Sequence, residues 1–232
     1  GLTATVINLP DSVTTIREMA FYNCAYLQSI TLPAGTESVG NNAFDTCTSL
    51  ETIDFGGAKT IGQSVFYGCT SLKSVTISGE CTEISVNGDG DTPFMDASAL
   101  EEIIVTEGSG NYCTENGVLY NKDKTTLYAY PSAKKDKEFT LPSTVKEIAQ
   151  SAFYHAVNLE KVDISGVETI GTYAFEECSA LKSVKTTNTI TSLGVDAFFN
   201  CTSLKSLRFG DKLTTIGSYA YGFYYNEDAD TE

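Results

Sequence analysis

An aromatic residue returns at a fixed offset along this 232-residue chain, at Phe21, Phe44, Phe66, Phe94, Phe153, Phe175, Phe198 and Tyr221, with most successive spacings 22 or 23 residues. A period of that size constrains the fold more than any compositional figure. One such unit cannot bury its apolar side alone, so successive copies must stack into a solenoid with a continuous core.

Most of these aromatics carry the same companions. Five residues earlier stands an aliphatic: Ile16, Val39, Ile61, Ile148, Ile170, Leu193 or Ile216. Three residues later comes Cys24, Cys47, Cys69, Cys178 or Cys201, with Ala97 and Ala156 filling the same column. Three further on is Leu after each of the seven phenylalanines, at Leu27, Leu50, Leu72, Leu100, Leu159, Leu181 and Leu204. Then follow two apolar columns offset by two, such as Ile30 and Leu32 or Ile53 and Phe55, with Thr186 the exception.

An offset of two is strand spacing, because alternate side chains of a strand share a face. Offsets of three fit a tight turn or short helix. The predicted coil is therefore a short strand, a corner marked by Pro10, Pro33 or Pro142, and a compact helical segment such as residues 40–47. The expected architecture is an α/β repeat: a parallel β-sheet on the concave side, short helical turns on the other, and strands about 4.8 Å apart.

The segment Ala43-Phe44-Asp45-Thr46-Cys47-Thr48-Ser49-Leu50-Glu51-Thr52-Ile53-Asp54-Phe55 resembles the leucine-rich repeat, specifically its BspA-like bacterial branch, with Cys where the first Leu after Phe is usual. The resemblance covers nearly the whole chain. It implies a leucine-rich-repeat solenoid that is secreted or displayed on a bacterial surface. It further implies repeats that bind a protein or glycoprotein ligand, such as a host matrix protein, with no catalytic residues to carry over.

The chain reads as a single repeat domain over residues 1–232. Within it, residues 1–105 form an N-terminal subarray, 106–138 an irregular repeat, 139–224 a C-terminal subarray and 225–232 an acidic tail, with Tyr224 a candidate cap on the last coil. No run of 18 apolar residues occurs, so no membrane-spanning helix is expected. Gly1 lies inside what reads as a preceding coil, so the lack of a signal segment says nothing about destination. A net charge of -15 excludes nucleic acid and disfavours an anionic membrane. A monomer is expected.

Seven cysteines would ordinarily predict a disulfide framework in a surface protein. Five of them instead share a column with alanine, which reads as small buried thiols. Cys81 and Cys113 lie outside that column and are the one pair to test for a bond. No cofactor or metal is expected, because no C-x-x-C occurs and His155 is the only histidine.

Two departures from the period stand out. Asn87-Gly88-Asp89-Gly90-Asp91 resembles the start of an EF-hand calcium loop, but Thr92 replaces its turn glycine and Ser98 its closing Glu, so a plain surface loop is expected. The second is the long interval around residues 106–138, where Gly117-Val118-Leu119-Tyr120 and Thr126-Leu127-Tyr128-Ala129-Tyr130 flank the polar stretch 121–125 and predict a β-hairpin. Its tyrosines and its lysines at 122, 124, 134, 135 and 137 are read as packing and solvation rather than as a projecting contact element.

The outward strand positions turn from Ser29, Thr31, Thr52 and Asp54 early to Lys161, Lys185 and Arg208 late, and the position after the Leu column from Glu51 and Glu101 to Lys182 and Lys205. Lys161, Lys182, Lys185, Lys205 and Arg208 are therefore the candidate ligand-binding residues, forming a basic end suited to an acidic partner. Nothing in the sequence pairs a nucleophile with a base, since His155 stands alone. The expected function is a non-enzymatic adhesion or recognition module acting through the concave sheet. The alternative is a structural spacer that displays another domain at the cell surface.

Overall fold

The computed structural model describes residues 4–86, 91–108 and 110–222. The first subarray alternates two kinds of strand: β1 Thr15–Ile16, β2 Ser29–Thr31, β3 Ser38–Val39, β4 Thr52–Asp54, β5 Thr60–Ile61, β6 Ser74–Ile77, β7 Glu83–Ile84 and β8 Glu102–Val105. A middle segment holds β9 Tyr112–Glu115, β10 Val118–Asn121 and β11 Thr126–Ala129. The second subarray holds β12 Glu138–Thr140, β13 Glu147–Ile148, β14 Lys161–Asp163, β15 Thr169–Ile170, β16 Ser183–Lys185, β17 Ser192–Leu193 and β18 Thr215–Ile216.

The longer strands pair in parallel in the order β2-β4-β6-β8 and, separately, β12-β14-β16. The two-residue strands form a second parallel ladder, β1-β3-β5-β7, and continue after the middle segment as β13-β15-β17-β18. The aliphatic column five residues before the aromatic is the buried residue of these short strands, as in Val39, Ile61 and Ile170. The solenoid of parallel strands is thus what the column spacing predicts.

The helical turns are not there: among the described residues no segment is helical. The reason lies two residues to either side of the aromatic, where the backbone is left-handed at Asn42 and Thr46, Ser151 and His155, Tyr173 and Glu177, and Asp196 and Asn200. A right-handed helix cannot run through such residues. Each one turns its amide toward the next coil instead. Asn42 N–H donates to Gln63 O, Thr46 N–H to Tyr67 O, Tyr173 N–H to Val195 O and Glu177 N–H to Phe199 O, while the aromatic between them donates likewise, Phe44 to Val65 O and Phe175 to Ala197 O. Three rungs per step tie coil to coil and offset the roughly 1 kcal/mol or more of strain at each left-handed non-glycine residue. Offsets of three give the right burial for a helix or for this chain of turns, so the pattern alone did not separate them.

The aromatic column is a stack. Phe153 and Phe175 lie 4.6 Å apart at 11°, and Phe175 and Phe198 4.9 Å apart at 3°. Tyr130 joins it, stacking on Phe153 at 5.0 Å, and its amide donates to Ala152 O as the phenylalanine amides do. The signal was in the sequence, since Tyr130 precedes Phe153 by one full period of 23.

The middle segment is a three-stranded antiparallel meander, one strand more than the expected hairpin. Strands β9 and β10 meet through Asn116-Gly117, both left-handed at φ 51° and 77°, the two-residue turn that Asn-Gly favours. The meander separates two cores. Leu119 packs into the first, while Val118, Tyr120 and Leu127 pack into the second. At one edge, Gly117 O accepts from Ile103 N–H of β8, and at the other β11 pairs in parallel with β13. The element therefore patches the stack, as the packing reading expected.

All seven cysteines are free, Cys81 and Cys113 included. The column cysteines do more than fill space: Cys47 Sγ donates to Phe21 O at 3.1 Å, Cys69 to Phe44 O at 3.1 Å, Cys178 to Phe153 O at 3.1 Å and Cys201 to Phe175 O at 3.0 Å. Burial pushes the Cys47 and Cys69 thiols up to about 12.

Candidate recognition surface

The longer strands put every second side chain outside, because their central residues, such as Ile30, Ile53, Val75 and Val162, are buried. Parallel register then aligns the outward residues into rows across coils. In the first sheet the rows are Ser29, Thr52, Ser74, Glu102 and Thr31, Asp54, Thr76, Ile104. In the second they are Glu138, Lys161, Ser183 and Thr140, Asp163, Lys185.

Three of the five candidate binding residues sit in or beside this second sheet, each already facing a carboxylate of the preceding coil. Lys161 Nζ reaches Glu138 at 2.6 Å, Lys182 Nζ reaches Glu160 at 2.5 Å and Lys185 Nζ reaches Asp163 at 2.6 Å. Hydrogen bonds from Lys182 and then Lys137 hold Glu160 down at about 2. Partial burial works against Asp163, yet hydrogen bonds from Lys185 and Ser165 keep it below its ordinary value. The strip therefore alternates in charge instead of presenting bare ammonium groups. Glu160 follows Leu159 in the column that the trend from Glu to Lys was read from, and Lys73 does the same after Leu72, paired with Glu51 at 2.8 Å.

Lys205 and Arg208 are exposed and stand beyond β16, where no strand forms. There the Thr186 hydroxyl donates to Arg208 O at 2.7 Å, a side-chain link in place of backbone pairing. Among the described residues no ion pair involves either of them. The surface thus divides into a paired strip and a short unpaired basic edge.

The meander's lysines are also engaged: Lys122 Nζ donates to Gly108 O, Lys124 pairs with Glu115 at 3.1 Å, Lys135 with Glu101 at 3.3 Å and Lys137 with Glu160 at 3.0 Å. Tyr120 and Tyr130 are buried, and Tyr112 closes an edge by accepting the Ile84 N–H at 2.9 Å.

His155 is half-buried, edge-on to Tyr154 with ring centres 6.2 Å apart, and its backbone N–H donates to Glu176 O. Among the described residues no three His, Cys, Asp or Glu side chains are placed to hold a metal ion. Most of the calcium-like segment, residues 87–90, lies outside the described residues, as does the acidic tail with Tyr224. No described helix is long and apolar enough to cross a membrane.

A family model described as the BspA type leucine rich repeat region matches residues 2–114 and 124–227 in six copies. Among solved structures, the chain is similar to the pneumococcal vaccine antigen PcpA, with a TM-score of 0.76 and 23% identity over 92% of this chain. It spans 65% of the length of that antigen structure. It is also similar to a leucine rich cell surface protein from Faecalibacterium prausnitzii, with a TM-score of 0.57 and 23% identity, covering 95% of this chain and 79% of that one. At these identities the likeness concerns the fold. No functionally curated protein matches the sequence.

Proposed function

The chain belongs to the BspA-type leucine-rich repeat family, and from that premise we propose that it is a non-enzymatic recognition or adhesion module, secreted or held at a bacterial surface, that binds a protein or glycoprotein through its longer-strand sheets. The observation that carries this reading is the pair of register-aligned outward faces, whose hydroxyl and charged side chains lie in rows across the coils, exposed or half-buried among the described residues. Such a face offers many weak polar contacts over a wide area, which suits a macromolecule better than a small substrate. The names of the similar structures, a vaccine antigen and a cell surface protein, agree with display outside the cell.

Within that face Lys161, Lys182, Lys185, Lys205 and Arg208 are the proposed contact residues. A partner carboxylate meets Lys205 and Arg208 directly, whereas at Lys161, Lys182 and Lys185 it must compete with Glu138, Glu160 and Asp163. The same pairing favours a second reading, a stiff spacer whose coils are cross-linked by ion pairs and whose surface meets nothing. Capture against immobilised matrix proteins and mucins separates the two. Binding that weakens in the Lys182→Glu, Lys185→Glu, Lys205→Glu variant at low salt supports recognition by the basic end, while a surface that retains no ligand supports the spacer.

A further inference from the structure

The two longer-strand sheets end in four edge positions, and at three of them a neighbouring segment is engaged. Val6 bridges to Ser29 beside β2, Gly117 O accepts the Ile103 N–H of β8, and the Thr186 hydroxyl after β16 donates to Arg208 O. The remaining edge, the side of β12 that faces the meander, has no such partner among the described residues. Register tells which groups are left over. In β14, Lys161 N–H donates to Lys137 O and Asp163 O accepts from Leu141 N–H, both toward the preceding coil. Glu138 and Thr140 hold the same positions in β12. Their N–H and C=O groups therefore aim at the meander, because the two backbone groups of a strand residue share one edge.

Beside that edge there is room for a strand. The Cα atoms of β8, β9 and β10 all lie more than 8 Å from those of β12, where a paired strand would lie about 4.8 Å away. The space is a groove of about 300 Å³ between Glu115, Asn116 and Tyr120 of the meander and Phe139, Thr140 and Leu141. None of these residues adjoins an undescribed one. Phe139 is half-buried, whereas Ile53, Val75 and Val162, in the same column between paired strands, are buried. The Glu138 carboxylate is engaged by Lys161 at 2.6 Å, which leaves the exposed backbone at 138 and 140 free to pair.

We propose that the β12 edge is a docking site for an extended segment of a partner protein, which pairs through its backbone and lays one apolar side chain against Phe139. Two donors and two acceptors in alternation, on Glu138 and Thr140, are matched by a strand rather than by a single side chain, and the half-buried ring calls for an apolar residue opposite it. Parallel pairing, the rule in both longer-strand sheets, turns the N–H of that apolar residue toward the Glu138 C=O. The site lies beside the outward rows and not on them, so its failure leaves the recognition reading above untouched.

The test follows amide exchange and NMR shifts of the isotopically labelled protein with the probe acetyl-Ser-Thr-Val-Thr-Ser-amide. In the free protein the Glu138 amide should exchange quickly while that of Lys161 is protected. Saturating peptide should slow Glu138 about tenfold or more and shift Phe139, Asn116 and Tyr120. Methylating the valine nitrogen should weaken binding about tenfold, and methylating both threonine nitrogens should leave it unchanged. The reverse pattern would mean antiparallel pairing at the same edge and also supports the site. Thr140→Pro, which removes an edge N–H and spares the Leu141 N–H bond to Asp163 O, should abolish the response in a folded protein. No saturable response, or equal effects of the two methylations, overturns the proposal. So does a Glu138 amide protected without peptide, because the chain itself or a second copy would then cover the edge.

Discussion

Replacing Phe175 by Ala tests the aromatic stack at its centre. Phe175 is fully buried and lies flat between two rings, Phe153 at 4.6 Å and Phe198 at 4.9 Å. Removing the phenyl group forfeits about 2 kcal/mol of apolar transfer and about 1 kcal/mol for each of two stacks, so a loss of about 4 kcal/mol is expected. The end of the column supplies the control. Phe21 is half-buried and, among the described residues, stacks on Phe44 alone, at 4.9 Å, so Phe21→Ala should cost about half as much. Urea unfolding followed by circular dichroism measures both, and hydrogen exchange locates the damage, because a repeat array transmits a defect mainly to its neighbours. Lost protection should centre on the amides of Phe153 and Phe175, whose bonds run to Ala174 O and Ala197 O. A loss below about 1 kcal/mol, or equal losses for Phe21 and Phe175, would refute the claim that stacked rings hold the coils together.

Two further outcomes follow from titratable groups. Half-burial, then the carboxylates of Asp196, Glu177 and Asp96, raises Glu176 to about 7 from 4.5. The folded protein thus holds that proton more tightly than the unfolded chain, so the stability tied to it is complete below pH 4.5 and is lost as pH rises to about 7. Discounted for its exposure, the loss is about 1 to 2 kcal/mol, and Glu176→Gln should remove it, matching the parent at pH 4 and exceeding it in thermal melts at pH 8. Thiol titration with an aromatic disulfide reagent at pH 8 should spare Cys47, Cys69 and Cys178 in the folded protein and report all seven cysteines in denaturant. Fast native reaction at any of those three would contradict their burial.

Much of this molecule is written in its spacing. The period, the aliphatic and leucine columns and the thiol column name the core, because a side chain that must be buried in every coil recurs at every coil. Tyr130 and the Asn116-Gly117 turn were equally legible by the same rules of period and turn chemistry. What the spacing cannot express is what a residue meets one coil away. Left-handed backbone at Met19, Thr46 or Glu177 has no strong residue signature, and it holds because the amide it exposes finds a carbonyl on the next coil. Lys182 looks like free positive charge along the chain and becomes half of a pair once Glu160 is stacked beneath it. Burial is a property each residue carries in its own column, so the sequence determined the solenoid and its interior. Turn conformation and surface charge are settled between residues some 22 positions apart, and only stacking in register brings those together.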